Sequence, residues 1–520
     1  MKHNYSVNPE YIEYLRDESR IQGEADTISF PQSPEEIRED LHPCMDQHIP
    51  VTVQGARTGI TGGAVPQGGH ICNVSRMNKV LGAASSGIDG AYLVRVQPGV
   101  LLCDFLESLD KGDFDTSFWP DDDKKILDEL RSKGPFFFPP DPTETSASLG
   151  GMISCNASGA RTFSYGSTRK YVQDLSVELI SGAHLDLHRG GNHAEKLSFS
   201  LTSVEGRTFS GKLPGYRLPP IKSAAGLFAE PEMDLIDLFI GSEGTLGVIT
   251  EANLIVIPKP RSIWGIAAFF PDQESSLSFV QKIRKQENKP AALEFFNHRA
   301  LNLLRDQKKA NPAFGELPEI DGAYHTAVYV EYHGNSDDET EEMVYALAEL
   351  MVECGSSEDA TWIADSEKEL VKLKDFRHAV PEAVNLLIDN RRKSEPGLTK
   401  LGTDMAVGDD KLEEVMHLYD SGLSEAGLES VIFGHIGNNH LHVNILPKSL
   451  EEYEKGKELY LQWAENIVSM GGTVSAEHGI GKLKTGFLKK MFGEEGVRQM
   501  EEVINVFNQG KILNRGNIVP

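Results

Sequence analysis

Short apolar runs separated by turn-forming residues set the pattern of the first half of the chain. Val51-Thr-Val, Tyr92-Leu-Val-Arg-Val and Leu254-Ile-Val-Ile are brief and rich in β-branched residues, and the Gly-rich stretches between them predict strands with helices interleaved. Ser33-Pro-Glu-Glu-Ile-Arg-Glu-Asp-Leu reads as a helix start: Ser33 can accept from the first free backbone N–H groups, Pro34 fits the first turn, and Glu36 completes a capping box. A strand is predicted after it. From Asp110 to Pro135 the chain is charged, and Asp121-Asp-Asp-Lys-Lys-Ile-Leu-Asp-Glu-Leu predicts a surface helix to which no function attaches.

Near Ser262 the periodicity changes. Thr326-Ala-Val-Tyr-Val-Glu-Tyr alternates with period two, whereas Asp338 to Val352 repeats its apolar positions with the helical period, so helices covering an antiparallel sheet are predicted, the pattern of an α+β unit. Pro258-Lys-Pro-Arg-Ser is the natural boundary between the two patterns. Because a single core stops growing near ~250–300 residues, 520 residues predict two or three packed units: residues 1–260, residues 261–470 and a closing segment, 471–520.

Charge narrows the partners. Lys+Arg minus Asp+Glu is 51 − 78 = −27, a balance that repels phosphate backbones and anionic lipid head groups, so neither nucleic acid nor a membrane surface is an expected partner. No run reaches the ~18 apolar residues of a membrane span. The opening, Met1-Lys-His-Asn-Tyr-Ser-Val, lacks the basic-then-apolar run of a secretory signal, which makes a cytoplasmic location the expectation. The five cysteines, Cys44, Cys72, Cys103, Cys155 and Cys354, are scattered and form no CxxC pair for an iron–sulfur cluster or a structural zinc. Electrons leaving a bound cofactor would therefore pass to another protein or a diffusible acceptor.

Three glycine-rich segments carry the first candidate chemistry. Gln54-Gly-Ala-Arg-Thr-Gly-Ile-Thr-Gly-Gly-Ala follows the apolar run Ile49 to Val53, so a strand feeds a loop whose small residues let backbone N–H groups converge on an anion such as a pyrophosphate. It is neither a GxGxxG nor a Walker loop, and alone it reads equally well as a plain turn. The second runs from Pro139-Pro-Asp-Pro through Ser148-Leu-Gly-Gly to Gly159, where small residues permit close approach of an aromatic ligand. In the third, Asp237-Leu-Phe-Ile-Gly-Ser-Glu-Gly-Thr-Leu-Gly-Val-Ile, an apolar strand is expected to break at Gly241 and resume at Val248.

The most chemically loaded run is Val431-Ile-Phe-Gly-His-Ile-Gly-Asn-Asn-His-Leu-His-Val-Asn-Ile-Leu. Strand alternation after the turn Gly437-Asn-Asn puts His440, His442 and Asn444 on one face and Leu441, Val443 and Ile445 on the other, with His435 across the hairpin. Gly471-Gly-Thr-Val-Ser-Ala-Glu-His-Gly-Ile-Gly adds Glu477 beside His478. Any one of these histidines reads most simply as a satisfied core or surface residue. As a set in two Gly-flanked runs they offer two imidazoles and a carboxylate, the N/N/O donors that borderline divalent metals accept with positions left open for a substrate oxygen.

At its three glycine segments the chain resembles the FAD-binding fold of the vanillyl-alcohol oxidase family, the PCMH type, and its two histidine runs resemble the D-lactate and D-2-hydroxyglutarate dehydrogenase branch of that family. The resemblance covers nearly the whole chain. It implies a two-subdomain FAD-binding unit over residues 1–260, an α+β cap unit with an antiparallel sheet over 261–470, and a C-terminal segment, 471–520, that returns to the flavin. It implies that Gly55, Thr58, Gly59, Thr61, Gly62, Asp141, Ser148, Gly151, Ser158, Glu243 and Ile249 touch or shape the FAD pocket. His435, His442 and Glu477 would be the metal ligands, for zinc, manganese or iron. His478 would be the base and Arg377 the clamp on a substrate carboxylate, with Asn444 helping to hold the substrate and Lys400, whose spacing to Asp404 is longer than in the 2-hydroxyglutarate enzymes, a weaker choice. Gln54, Ala56 and Arg57 stand where relatives show Arg, Gly and Gly, and Asn438, Asn439 and His440 replace Asp-Gly-Asn, which leaves the role of His440 open. No Cys or His stands out as a covalent flavin anchor, so FAD is expected to be non-covalent.

The activity so implied is oxidation of a small D-2-hydroxy acid, D-lactate first, to the 2-oxo acid. Reduced flavin would pass electrons to an electron-transfer flavoprotein, an iron–sulfur subunit or a quinone. Two other classes use the same fold: a non-redox transferase of the alkyl-dihydroxyacetone-phosphate synthase type, for which Arg391-Arg392-Lys393 offers a phosphate site, and a non-catalytic electron-relay flavoprotein.

Overall fold

Local signals set the first layer of the structure. In the computed structural model, which describes residues 4–520, the helix Pro34–Asp46 begins where its caps place it. Ser33 Oγ accepts from Glu36 N–H at 3.3 Å and Glu36 Oε2 accepts from Gln32 N–H at 2.7 Å, while Ile37, Leu41 and Cys44 face the core. The strand Val51–Gln54 follows. It pairs in parallel with His70–Asn73, which pairs in parallel with Thr27–Ser29, and Asn4–Ser6 closes this four-stranded sheet. Parallel pairing is possible because the helix supplies the crossover. Met1, Lys2 and His3, part of the polar opening, lie outside the described residues.

On the central strand His70 is buried between Thr27 Oγ1 and Ser29 Oγ, 2.9 Å from each. Burial pushes its imidazole down to about 4 from 6.5. The folded protein therefore refuses a proton that the unfolded chain accepts, so stability falls as pH drops from 6.5 to about 4 and no further below that. His70→Gln is expected to remove up to about 3 kcal/mol of that acid loss. Melting midpoints across this pH range with equal slopes in both proteins would refute it.

A six-stranded antiparallel sheet comes next, with Val80–Ser85, Tyr92–Val96, Val248–Pro258, Val172–Glu178 and His184–His188 in spatial order and Phe136–Phe137 on the end of Val248–Pro258. The charged stretch after Asp110 forms the helix Asp121–Lys133, its acids in the first turn and Arg131 and Lys133 in the last, matching the helix dipole. One sequence expectation fails. Residues 237–240 are not a strand: Ile236–Phe239 form a helical turn, and the carbonyls of Asp237 and Ile240 are taken by the Arg169 guanidinium instead of a ladder.

Three residues after Pro258 the chain enters a seven-stranded antiparallel sheet. Its spatial order is Thr361–Ala364, Ser262–Phe270, Thr326–Gly334, Ala292–Phe296, Ser430–His435, His440–Ile445 and Leu401–Gly402. Both faces are covered. Ile266, Ala268 and Phe270 pack with the helices Gln273–Ile283 and Asp337–Glu353, and Ala267 and Phe269 pack with His298–Ala310 and Glu367–Arg392. Burial on both faces is why these strands read as almost continuous apolar runs. The chain ends by returning to its beginning: after the helix Thr485–Phe507, Val51 N–H donates to Ile512 O (2.9 Å) and Asn514 N–H to Val51 O (2.8 Å), which places the last residues against the first sheet. The fold is thus mixed α+β, with a C-terminal segment that returns to the first sheet. No helix among the described residues is long and apolar enough to cross a membrane, and none of the five cysteines is bridged.

Candidate active site

A cavity of about 400 Å³ opens where the glycine loops, the histidine hairpin and the C-terminal segment meet. Of the residues expected at the flavin, Gly55, Thr58, Gly59, Thr61, Ser148, Gly151, Ser158, Glu243 and Ile249 line it. Gly55 has no alternative, because a Cβ there would stand 2.1 Å from Ser148 Oγ, whereas nothing lies within 4 Å of one built on Gly59, which faces open space. Gly62 and Asp141 do not line the cavity. Gly62, at φ +76°, presents its carbonyl to Lys482 Nζ (3.1 Å), and Asp141 accepts from Arg161 N–H (3.0 Å) behind the wall.

The departure at Arg57 has a structural answer. Arg57 adopts φ +61° and lays its guanidinium 4.2 Å from the centre of the Tyr14 ring, so its bulk leaves the loop through a cation–π contact. Gln54 ties the loop from beneath, donating to Tyr14 O and Ala64 O, both at 2.7 Å. Glu243 acts between segments: its carboxylate accepts from Ile480 N–H (2.6 Å) and Gly481 N–H (2.7 Å), and its carbonyl accepts from Asn514 Nδ2 (2.7 Å). The third glycine segment therefore grips the turn that follows His478.

Strand register delivers the imidazoles. His435 pairs with His440, and Phe433 with His442, across the hairpin, while Leu441, Val443 and Ile445 enter the apolar core as alternation predicts. Asn439, at φ +48°, takes the left-handed turn position. Ligand atoms of His435, His440, His442 and Glu477 all lie within 4.8 Å of one another. Glu477 Oε2 is 3.1 Å from His435 Nε2 and 3.6 Å from His440 Nδ1, and Ser158 Oγ donates to Oε1 at 3.4 Å. His435, His442, Glu477 and His478 line the same cavity as the glycine loops.

The donor set suits a divalent cation. His442 donates Nδ1–H to Thr403 O at 3.1 Å, which leaves Nε2 with its lone pair, and burial together with the neighbouring imidazoles holds its pKa well below the usual range. Burial takes His440 down to about 4; its Nε2 lies 2.9 Å from Asp404 Oδ1, while its buried Nδ1, 3.6 Å from Glu477 Oε2, has no hydrogen-bond partner among the described residues. For His435, burial and Lys222 act downward, but Glu477 and Glu294 outweigh them and raise it to about 9. Burial would raise Glu477, yet Lys222 and His435 hold its carboxyl well below the usual range. With four imidazole and carboxylate donors within 4.8 Å of one another and the Nε2 lone pair of His442 free, the group fits a divalent cation, which would stand in place of the proton that His435 holds between Glu477 and Glu294.

Three residues that the sequence reading did not single out support this group. Asp404, fully buried, accepts from Glu477 N–H and His478 N–H (3.1 Å each), Ser475 Oγ–H (2.7 Å) and Lys484 Nζ (2.6 Å), and lies 3.4 Å from His478 Nδ1. Glu294 accepts from His435 Nδ1 at 3.1 Å, the carboxylate–histidine arrangement that orients a metal ligand. Lys222 Nζ stands 3.4 Å from Glu477 Oε1. Each is a lone charge in an apolar or small-residue run, as in Thr403-Asp-Met-Ala-Val or Pro220-Ile-Lys-Ser-Ala-Ala, and that is the signal that could have found it.

Other expected positions lie apart from the cavity. Arg377 is buried with its fork on Glu294, at 2.7 and 3.1 Å, so the carboxylate it holds here belongs to the protein and not to a substrate. Asn444 is buried, with Nδ2 3.4 Å from His442 O. Lys400 is exposed, one residue before the edge strand Leu401–Gly402. Arg391, offered for a phosphate, bonds Leu446 O and Glu429 Oε2.

Similarity to known proteins agrees with this geometry. Residues 25–120 match the model of the FAD binding domain and residues 259–518 that of the FAD linked oxidases, C-terminal domain. A D-lactate dehydrogenase of Anaerostipes hadrus is 30% identical over 97% of this chain and 92% of its own. Glycolate oxidase subunit GlcD of Bacillus subtilis is 26% identical (99% and 91%), and a D-2-hydroxyglutarate dehydrogenase of Stutzerimonas stutzeri 26% (94% and 90%). Solved structures of alkyldihydroxyacetonephosphate synthase share the fold, with a TM-score of 0.63 at 14% identity over 98% of this chain and 82% of theirs. With the C-terminal oxidase model covering half of its length and a 30% identical relative nearly all of it, this chain belongs to the FAD-linked oxidases of the vanillyl-alcohol oxidase type, in the branch of the D-lactate dehydrogenases.

Proposed function

We propose that this protein is a dehydrogenase that oxidises small D-2-hydroxy acids, D-lactate foremost, to 2-oxo acids with non-covalent FAD and a divalent metal, zinc, manganese or iron. The observation that carries the reading is the opening of the His435, His442, Glu477 and His478 side chains onto the cavity lined by the glycine loops. The names of the relatives support the substrate class and the D configuration.

The loop Gly55–Gly59 with Ser148, Gly151, Ser158 and Ile249 would hold FAD, which when bound would supply a hydride acceptor. His435, His442 and Glu477, with His440 within reach as a further donor, would hold a divalent cation, which would supply Lewis acidity toward a hydroxyl. His478 takes the hydroxyl proton. It lines the cavity and is 28% exposed in its side chain, against 10% or less for His435, His440 and Glu477, so it is more open to the cavity contents than they are. Asp404 fixes that ring and the backbone beneath it. Glu294 and Arg377 act one step back, orienting His435. Electrons would leave the flavin through an electron-transfer flavoprotein, an iron–sulfur subunit or a quinone. The non-redox transferase reading needs a phosphate pocket, and Arg391 is already engaged by the protein.

The test is anaerobic addition of D-lactate, L-lactate, glycolate and D-2-hydroxyglutarate to the purified flavoprotein. Loss of the yellow absorbance with D-lactate and its retention with L-lactate are expected. Retention with all four acids would refute the reading.

A further inference from the structure

A second cavity of about 730 Å³ lies beside the first, between the segment Pro219–Phe228 and a wall that includes Lys289, Gly408 and Asn438. Lys222 belongs to its wall and, through Glu477, touches the first cavity, so this one side chain stands where the two spaces meet. We propose that Lys222 is the cation that receives the substrate's carboxylate, at the inner end of a second cavity through which the acid approaches. The proposal rests on the 2-hydroxy-acid reading above and names the group that recognises the anion.

A carboxylate brought out of water needs a cation with a free donor. The other buried cations around the site are engaged, and Lys289, in the wall of the second cavity, is exposed. Arg377 is bidentate on Glu294, Lys484 bonds Asp404 and Ser475, Lys482 bonds Gly62 O, Gly63 O and Asn517, and Arg161 bonds Glu331. Lys222, with its side chain 3% exposed, has two long polar contacts among the described residues, Gly159 O at 3.3 Å and Glu477 Oε1 at 3.4 Å, for three N–H groups. A third donor is left for a ligand.

The geometry also keeps an anion on Lys222 clear of the metal ligands. Glu477 turns Oε2 toward His435 and His440 and Oε1 toward Lys222 and Ser158, so the ammonium occupies the side of the carboxylate away from the imidazoles. In the same cavity wall Asn438 has its buried Oδ1 without a hydrogen-bond partner, an acceptor that a hydroxyl or an ordered water satisfies.

The test titrates oxalate into oxidised, metal-loaded holoenzyme and reads the shift of the flavin spectrum, with metal content measured before and after. K222Q is expected to weaken oxalate binding about 30-fold, K222R to stay within a few-fold of the wild type, and R377K, which alters a side chain turned to Glu294, to retain binding. Wild-type affinity in K222Q, or loss confined to R377K, overturns the proposal. Loss of metal from K222Q also overturns it, because Lys222 would then act only through Glu477. Should K222Q fail to fold with flavin, a crystal structure of the wild-type holoenzyme with oxalate decides: a carboxylate on Lys222 Nζ supports the assignment and one elsewhere refutes it. Lys222-dependent oxalate binding in a protein whose flavin no hydroxy acid reduces would leave the anion site standing while the dehydrogenase reading falls.

Discussion

His478→Ala is expected to slow flavin reduction by D-lactate about 10²-fold or more, with FAD and metal contents unchanged. The separation of effects follows from where the ring sits. Its neighbours His435, His440 and His442 share the metal group with Glu477, whereas His478 lies outside that group, with its ring centre 5.6 Å from that of His442 and its Nδ1 3.4 Å from Asp404. Removing it leaves every ligand and every glycine of the cradle in place. Added imidazole is expected to restore part of the rate, a rescue that loss of a packing residue would not give. Wild-type rates in the variant would remove the base assignment, and loss of FAD or metal would turn His478 into a scaffold residue.

For His442→Ala the expected result is the converse: FAD bound, metal affinity weaker by at least about 100-fold, and turnover lost with the metal. Thr403 O fixes the tautomer of His442, so its one available lone pair is the one that faces the group. Metal analysis after dialysis at fixed free metal reads this directly, and unchanged content would refute the ligand. His440→Ala, measured beside it, settles the position that the sequence left open: comparable metal loss makes His440 the fourth ligand, and full metal content leaves it as the partner of Asp404 alone.

Much of the scaffold was legible because its causes are local. The helix Pro34–Asp46 follows from a cap, a proline and a stripe within one stretch, and the hairpin Ser430–Ile445 from period-two alternation about a tight turn. Reading Ile236–Phe239 as strand failed because a helical turn and a short apolar run look alike, and Arg169, far along the chain, chooses between them. The contact of Arg377 with Glu294 was hidden for a related reason, since the chain does not reveal that Ala292–Phe296 brings Glu294 within 2.7 Å of it.

From the order of its residues alone, the chain determines its glycine loops, the face on which His440 and His442 lie, and the pairing of Glu477 with His478. Period and turn chemistry act between near neighbours, so they survive in one dimension. Which charges meet was decided only by folding. Asp404, Glu294 and Lys222 arrive from separate elements, and in a buried, weakly screening interior a few ångströms of approach determine whether an imidazole keeps its proton, a carboxylate its charge or a lysine its free donor.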